Sequence, residues 1–383
     1  MKKARVFSGI DRQELYHSCL NGKRIGLMTN QTGIDRIFRQ SVDLLHKNYR
    51  LSALLAVEHG VRGDIQAGEK VDSYIDPKTQ VPVHSLYGDK KRPSEELMRS
   101  IDVAVYDLQD VGARFYTYLY SLSYLMQACA KYNVPLVVLD RINPLGGEKI
   151  EGIILEDEVS SFVGEHPMPA RYALTAGEFA LYLRKLLKLD IDLTIIPLDG
   201  WRRNMYLDDI NIPWVAPSPN CATLHAAECF IGTCIFEGTN ISEGRGTTLP
   251  FEMIGAPWIN SYELAKKMKK LKLKGVHFRP CSFVPTFSKH QGKVCYGVQL
   301  HITDREKANV FAAGMYLLDT IKTSYPDKFE FLKHDEGDIY FFDRLLGTTK
   351  YRLNKLSADE IVELQIFAEE SFNEQTHDIK LYR

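Results

Sequence analysis

The chain has 383 residues, more than one domain usually contains, so two domains are expected. Hydrophobic residues make up 45% and charged residues 25% of the sequence, a composition that can bury a large core and argues against disorder. The 48 basic and 49 acidic side chains leave a formal net charge of -1, which argues against a nucleic-acid partner.

The first half of the chain alternates short apolar runs with amphipathic stretches, the pattern of repeated βα units on a mostly parallel sheet. The apolar runs are continuous, which indicates strands buried on both faces. The predicted strands are Arg24–Thr29, Leu51–Val57, Asp102–Asp107, Pro135–Asp140 and Leu193–Pro197. The predicted helices between them are Gln40–Lys47, Ser94–Ser100, Tyr116–Lys131 and Thr175–Leu187, the last beginning with a capping box.

The pattern of the sequence changes after about residue 215, and a Gly-rich polar segment, Phe236–Trp258, leads into the elements of the second half. The elements predicted after it are a helix near Tyr262–Leu271, strands at Val276–Phe287 and Lys293–Thr303, and helices near Glu306–Ser324 and Ala358–Phe372. A lysine-rich run, Lys266–Lys274, is interpreted as a solvated helix face. We predict an α/β protein with a Rossmann-like domain over residues 1–215, a smaller α/β domain over residues 216–383, and an active-site cleft between them.

Polar residues follow four of the predicted strands directly: Asn30; Glu58 with His59; Asp107 with Gln109 and Asp110; and Asp140 with Arg141. Ligands of open parallel sheets bind outside the carboxyl ends of the strands, so these clusters are expected to converge on one rim. A carboxylate after an apolar strand sits where burial can raise its pKa, as a general acid requires. From position alone, Glu58 is equally compatible with a helix cap or a surface carboxylate, and the neighbouring clusters favour function.

The turn from the third strand into the next helix is dense in polar and aromatic groups: Asp107, Gln109, Asp110, Arg114, Tyr116 and Tyr118. Such groups suit sugar recognition, because aromatic rings stack on sugar faces while carboxylates and amides take sugar hydroxyls. The alternative is structural, with Asp110 as a helix N-cap and Arg114 as its partner. The next loop, Asp140–Gly147, is rich in turn residues. Its Arg141 and Asn143 could equally well stabilise the loop or contact a ligand. Glu151 is a further carboxylate candidate.

The second-half segment Glu237–Thr248 combines hydrogen-bond donors with glycines that allow close backbone approach. Glu237, Asn240 and Arg245 are its candidate ligand contacts, and Asn220 lies in the rigid turn that precedes them. The phosphate motifs GxxxxGK[ST] and GxGxxG are absent, so a loop for a carboxylate-bearing substrate fits as well as a phosphate loop. The eleven histidines show no HExxH or other ligand spacing, which disfavours a metal site, and the absence of a GxSxG elbow disfavours a serine nucleophile. No metal and no cofactor are expected.

Seven cysteines are scattered along the chain without a CxxC pair. An odd, unpaired set argues against a disulfide framework and favours a reducing compartment. The basic N-terminus is not followed by an apolar stretch, and no apolar run reaches the length of a membrane span. We expect a cytoplasmic protein without a membrane span, or a periplasmic or secreted one if a signal peptide has been removed.

Long segments, in order from about residue 8 to past residue 304, carry a family resemblance: GLMTNQTGID, EHGVRGDIQAGE, YDLQDVGARFYTY, LDRINPLGG, SFVGEHPMPARYALTAGE, PSPN, FEGTNISEGRGTTLPFEMIGAPW and PTFSKHQGKVCYGVQLHITD. They resemble the bacterial exo-β-N-acetylmuramidases (NamZ or YbbC-like). The resemblance implies a glycoside hydrolase that removes N-acetylmuramic acid from the non-reducing ends of peptidoglycan fragments. It also implies a Rossmann-like lobe and a smaller α/β lobe with the site between them.

The glutamate of the family's EHG motif is Glu58 here, so the resemblance makes it the leading catalytic carboxylate. Its candidate partners on matching motifs are Asp107, Asp110, Glu151 and Glu237, with Asp110 and Glu237 placed first. Two carboxyl groups lie about 5 Å apart in retaining and roughly 6.5–9.5 Å apart in inverting glycosidases, and attack by the substrate's own acetamido group is a third route. The lactyl carboxylate of muramic acid should meet an arginine, for which the candidates are Arg114, Arg141 and Arg245.

Two other functions are compatible with the same residues. One is a non-catalytic protein that binds muropeptides or sugars in the same cleft. The other is a nucleotide-dependent enzyme on the Rossmann-like lobe, which the missing glycine fingerprint disfavours.

Overall fold

The computed structural model describes residues 3–63, 73–88, 91–333 and 337–383, so part of the EHGVRGDIQAGE motif, residues 64–69, lies outside the described residues. A seven-stranded and a three-stranded sheet form the framework. The strands are β1 (Arg24–Thr29), β2 (Arg50–Ala56), β3 (Tyr74–Ile75), β4 (Pro82–Ser85), β5 (Val103–Asp107), β6 (Leu136–Leu139), β7 (Leu193–Ile196), β8 (Met253–Ala256), β9 (Val276–Phe283) and β10 (Cys295–Ile302).

Helices cover the sheets and connect the strands. They are α1 (Gln13–Leu20), α2 (Ser41–Asn48), α3 (Glu95–Ser100), α4 (Tyr118–Tyr132), α5 (Ala176–Leu186), α6 (Leu224–Thr233), α7 (Ser261–Lys270), α8 (Val310–Ser324), α9 (Phe341–Leu346) and α10 (Ala358–Thr376). Within the described residues, none of them combines the length and hydrophobicity that a membrane crossing needs.

The larger sheet has the order β3-β4-β2-β1-β5-β6-β7, and its described pairings are parallel except that of β3 with β4. Its strands are buried on both faces: in β5, Val103 and Val105 join the core beneath α1 and α2, whereas Ala104 and Tyr106 join the core beneath α3, α4 and α5. The predicted α/β fold with a mostly parallel sheet is therefore confirmed, and its five predicted strands each begin and end within one residue of the prediction.

Some elements escaped the sequence analysis for a physical reason. Strands β3 and β4 are two and four residues long, and β4 begins with Pro82, a residue that sequence patterns treat as a strand breaker. Helix α6 is buried at eight of its ten positions, so its sequence lacks the polar stripe of a surface helix. Gly232 of α6 lies against the Val310 carbonyl at the start of α8, a contact too close for any larger side chain.

The two halves of the chain share a core. Val111, Ala113 and Phe115 of the first half pack into the same cluster as α6, α8 and the three-stranded sheet. The end of the chain returns to the first half, where Phe372 joins its core and the Tyr382 hydroxyl donates to Asp140 Oδ2 at 2.5 Å. The division at residue 215 stays a prediction.

A buried carboxylate ties the halves together at the start of α8. Glu151 Oε2 accepts from the backbone N–H groups of Val310 (2.6 Å) and Phe311 (3.0 Å), and Oε1 accepts from Arg171 Nη1 (2.8 Å). Both side chains are buried. The carboxylate therefore satisfies orphan donors of a helix from the other half, where the helix dipole favours negative charge. Glu151, a candidate ligand residue in sequence, is engaged here in fixing the two halves.

We expect the Glu151→Ala variant to lose about 3 kcal/mol of unfolding free energy, because it leaves Arg171 as an uncompensated buried charge and removes the acceptor of two N–H groups at the start of α8. Urea denaturation measures this. The control is Glu95→Ala, which removes an exposed i,i+4 pair with Arg99 and should cost less than about 1 kcal/mol. Equal losses in the two variants would show that the Glu151 contacts carry no special weight.

Candidate active site

Glu58 lies just beyond the carboxyl end of β2, in a sharply turned segment. Gly60 N–H donates to the Val57 carbonyl at 3.0 Å, and His59 has a φ of 73°. A histidine in this left-handed region is strained, and such strain is typical of functional segments. The turn reverses the chain directly after Glu58, so the half-buried carboxylate stays at the rim of the sheet.

Two hydroxyl groups hold the Glu58 carboxylate. Tyr87 Oη donates to Oε1 at 2.9 Å, and Thr117 Oγ1 donates to Oε2 at 2.8 Å. Burial, together with the adjacent Glu58 charge, raises the pKa of Tyr87 above its ordinary value, so the phenol remains a donor. Because Tyr87 follows β4 and Thr117 precedes α4, two separate segments fix both carboxylate oxygens.

A cavity of about 190 Å³ opens in front of Glu58. Both halves of the chain line it, as the sequence predicted for the cleft. The lining residues of the first half are Glu58, His59, Tyr87, Phe115, Tyr116, Thr117, Phe162 and Val163, and those of the second half are Ser218, Phe230, Cys234, Glu237, Arg245, Phe341 and Leu345. Aromatic rings beside two carboxylates suit a sugar ring that undergoes acid–base chemistry.

The second carboxylate of the cavity, Glu237, is paired with an arginine. Arg245 Nη2 lies 2.9 Å from Glu237 Oε1, and Arg245 Nε lies 3.3 Å from Glu243 Oε1. Burial lowers the pKa of Arg245, but the two carboxylates outweigh burial and the pKa is raised overall. The cavity therefore holds a permanent cation next to Glu237 and across from the first-half wall that carries Glu58.

Asp110, the other proposed partner of Glu58, lies outside the cavity lining. Its Oδ2 accepts from Gly112 N–H (2.7 Å) and from the Tyr172 hydroxyl, and the residue is buried. Burial raises the pKa of Asp110 to about 7, against the lowering effect of these donors. The structure thus places Asp110 in the scaffold, and Glu237 is the predicted partner that shares the cavity with Glu58.

Two of the three arginines proposed for the lactyl group are also engaged elsewhere. Arg141 Nε and Nη2 bind both oxygens of Asp107 at 2.7 and 2.9 Å, and both residues are buried. Arg114 is fully buried and donates to the Leu345 carbonyl at 2.6 Å, and burial lowers its pKa to about 10. Neither guanidinium lines the cavity, whereas Arg245 does.

Asn30 and Tyr118 form a buried chain of hydrogen bonds between the halves. Asn30 Nδ2 donates to Tyr118 Oη at 2.6 Å, and Tyr118 Oη donates to the Pro217 carbonyl at 2.7 Å. Tyr118 also packs edge-on against Tyr116, which lines the cavity. These two predicted ligand residues therefore support the cavity wall from behind.

The remaining predicted ligand residues also make internal contacts. Gln109 Nε2 donates to the Ile142 carbonyl (2.8 Å) and Asn143 Nδ2 to the Leu174 carbonyl (3.0 Å). Asn240 Nδ2 donates to the Lys328 carbonyl (2.7 Å), and Asn220 is buried in the turn after Ser218. They shape the loops around the cavity without lining it.

Sequence reasoning missed three residues of the Glu58 environment. Tyr87 follows β4, a strand too short to be recognised, although its position after a strand end matches that of the predicted clusters. Thr117 lies between Tyr116 and Tyr118, and no sequence pattern distinguishes it as a hydrogen-bond donor to Glu58. Phe162 stacks on Tyr124 with ring centroids 6.1 Å apart and lies in the SFVGEHPMPARY segment, whose composition gave no catalytic signal.

Comparison with known proteins gives consistent results along the chain. Two family models match, "Exo-beta-N-acetylmuramidase NamZ, N-terminal" over residues 25–225 and "Exo-beta-N-acetylmuramidase NamZ, C-terminal" over residues 228–382. The peptidoglycan beta-N-acetylmuramidase NamZ of Bacillus subtilis is 49% identical over 349 residues, which are 90% of this chain and 83% of that protein.

Solved structures agree with the fold. A DUF1343 family protein of Bacteroides fragilis superimposes with a TM-score of 0.90 at 34% identity, covering 100% of both chains. A second DUF1343 family protein of the same organism gives a TM-score of 0.77 at 31% identity over 99% of each chain. The whole two-lobed arrangement is therefore shared.

The raised pKa of Asp110 predicts how stability depends on pH. Its folded pKa of about 7 lies above the ordinary value of 3.8, so the folded chain binds more protons between these values and stability falls as pH rises through that window. Asp140, raised to about 7 by burial, adds a similar fall. Asp110→Asn should therefore make the change in unfolding free energy between pH 5 and pH 8 less negative than it is in the wild type. Urea titrations at both pH values measure it.

The same variant tests whether Asp110 takes part in catalysis. Because the side chain lies outside the cavity, Asp110→Asn should turn over substrate at close to the wild-type rate. A folded variant that lost about 100-fold or more, the size of an acid–base contribution, would return Asp110 to the reaction.

Proposed function

The chain belongs to the exo-β-N-acetylmuramidase NamZ family, and we propose that it is an exo-acting glycoside hydrolase that releases N-acetylmuramic acid from the non-reducing ends of peptidoglycan fragments. The observation that carries this proposal is the shared cavity, which presents Glu58 from one lobe and Glu237 from the other. Glycosidic cleavage commonly uses two carboxyl groups on opposite sides of the bond.

The two carboxylates differ in their surroundings, and this difference supports a division of roles. Glu58 accepts hydrogen bonds from two neutral hydroxyl groups, those of Tyr87 and Thr117. Glu237 is paired with the Arg245 guanidinium, and an ionised carboxylate only accepts hydrogen bonds. In our proposal Glu58 protonates the leaving oxygen. Glu237 remains ionised and stabilises positive charge on the sugar or activates water.

Arg245 is also the proposed contact of the substrate's lactyl carboxylate. Its side chain lines the cavity, and its raised pKa keeps the guanidinium charged. Arginine binds carboxylates through paired N–H groups, which gives geometric specificity. A substrate without the lactyl group could not make this additional contact, so the contact would favour muramic acid over glucosamine.

A reducing compartment remains part of the proposal. Its support is that all seven cysteines are free thiols and that five of them are buried. We propose that the enzyme acts in the cytoplasm on imported wall fragments during recycling.

The first test is Glu58→Gln on a chromogenic N-acetylmuramic acid glycoside, with no added cofactor. Loss of the ionisable group should lower kcat by about 10²–10⁴-fold. The matched control is Glu95→Gln, a carboxyl-to-amide change on the exposed α3, which should leave the rate unchanged. A folded Glu58→Gln enzyme with near wild-type turnover would remove the central claim. A protein that binds muropeptides without catalysis would release no chromophore in any variant.

The second test compares glycosides of N-acetylmuramic acid and N-acetylglucosamine. The wild type should prefer the first, and Arg245→Lys should lower its kcat/KM by about tenfold, because lysine cannot reproduce the paired N–H geometry. The glucosaminide should lose less. Arg39→Lys, at an exposed ion pair with Asp35, is the control. If Arg245→Lys lowered kcat/KM equally for both substrates, Arg245 would act only through Glu237.

A further inference from the structure

The second lobe carries a groove that plays no part in the proposed chemistry. Two concavities, of about 400 and 380 Å³, lie on either side of Tyr262, a side chain that is 80% exposed. Both are lined by Tyr262 and Pro280, so they form one surface, which we call the Tyr262 groove. Its polar and aromatic lining residues are Ser261, Tyr262, Lys266, Lys269, Lys272, His277, Phe278, Arg279, Ser282 and Tyr296, and the larger concavity is also lined by Ala265, Met268, Leu273 and Val276.

The groove is basic. Tyr262, Lys266 and Lys269 are spaced i, i+4, i+7 and share one face of α7. Among the described residues that line the groove there is no aspartate or glutamate. Arg279 donates to the neutral Gln299 amide at 2.6 Å. The sequence pattern alone indicated a solvated helix face, whereas the structure shows a concave surface with uncompensated cations.

One loop connects this groove to the catalytic cavity. The Gly246 carbonyl accepts from Thr286 N–H at 2.8 Å and from Thr286 Oγ1 at 2.9 Å, and Arg245 next to it lines the cavity. Ser282, which lines the groove, precedes Thr286 by four residues, a stretch that spans at most about 14 Å. The near end of the groove therefore lies within the reach of an oligosaccharide bound at the cavity.

We propose that the Tyr262 groove binds the rest of an anionic glycan fragment, a carboxylate-bearing chain whose non-reducing end is cleaved in the catalytic cavity. The inference rests on the proposed function, since each muramic acid residue of such a chain repeats a lactyl carboxylate. An exposed tyrosine ring gives a flat face for a sugar, and its hydroxyl adds a polar contact. Lysines and an arginine supply charge partners along the groove.

The charge and the shape both favour a glycan over a lipid surface. The exposed aromatic ring lies beside two concavities that lysines and an arginine line, whereas membrane-surface binding uses an apolar face that protrudes into the bilayer. Exposed ion pairs are individually weak, so the contribution comes from several contacts along one tethered chain. Such a surface should lower KM for polymers and leave small substrates unaffected.

The experiment compares polymeric glycan strands with the small chromogenic muramic acid glycoside. Lys266→Gln combined with Lys269→Gln should raise KM for the polymer by about tenfold, with the small glycoside within about twofold of wild type. The matched control is Lys270→Gln combined with Lys274→Gln, which removes the same charge from exposed residues of the same run that do not line the groove. The effect should shrink at high salt.

Equal behaviour of the two double variants on the polymer would overturn the inference. Tyr262→Ala is the second probe, and it too should raise KM for the polymer alone. A wild-type enzyme that cleaved neither substrate would instead refute the proposed function, so the two failures are distinguishable.

A binding measurement separates the kinds of surface. The full-length chain with Glu58→Gln should sediment with insoluble peptidoglycan, and less so when the carboxyl groups of the glycan have been converted to amides. The Lys266→Gln/Lys269→Gln changes in that background should weaken sedimentation. Binding to phosphatidylglycerol vesicles without binding to peptidoglycan would contradict the glycan assignment.

Discussion

The contact between Glu151 and the first turn of α8 sets the geometry on which the rest of the molecule depends. A carboxylate from the first half satisfies backbone donors of a second-half helix, while Arg171 balances its charge. Charged groups this deeply buried are stable only in the paired arrangement. Together with the core that both halves share, this contact holds the lobes in the placement that forms the cavity, whose walls come from both.

Around the cavity, carboxylates of similar chemistry serve different purposes because their partners differ. Glu58 faces two hydroxyl donors, Glu237 faces a guanidinium, and Asp110 is enclosed without a cationic partner. Burial alone drives the pKa of Asp110 upward, which suits a neutral scaffold residue. The proposed reacting pair, Glu58 and Glu237, is thus distinguished by exposure to the cavity and by the partner of each carboxylate rather than by residue type.

The motifs that carry the family resemblance divide into two groups in space. One group supplies the cavity surface, as Glu58, Tyr116 and Arg245 do. The other, including the Asp107–Arg141 pair, holds the loops that present that surface. Such buried polar networks must be satisfied completely to be stable, so they constrain sequence as strictly as catalysis does. This explains why the motif residues outnumber the groups that can touch a substrate.

The sequence by itself indicated the parallel sheet, because short continuous apolar runs that alternate with amphipathic helical patterns favour strands buried on both faces, and it located Glu58 at a strand end. It also indicated the family, because long motifs in a fixed order can be recognised without knowledge of three-dimensional contacts. Only the tertiary structure decided that Glu237 rather than Asp110 shares the cavity with Glu58, and that Arg245 rather than Arg114 or Arg141 offers a cation there. The sequence left Asp110 and Glu237 as equal candidates, because side-chain exposure depends on packing between distant segments. That packing buries Asp110 and brings residues of the second half to the cavity that Glu58 lines.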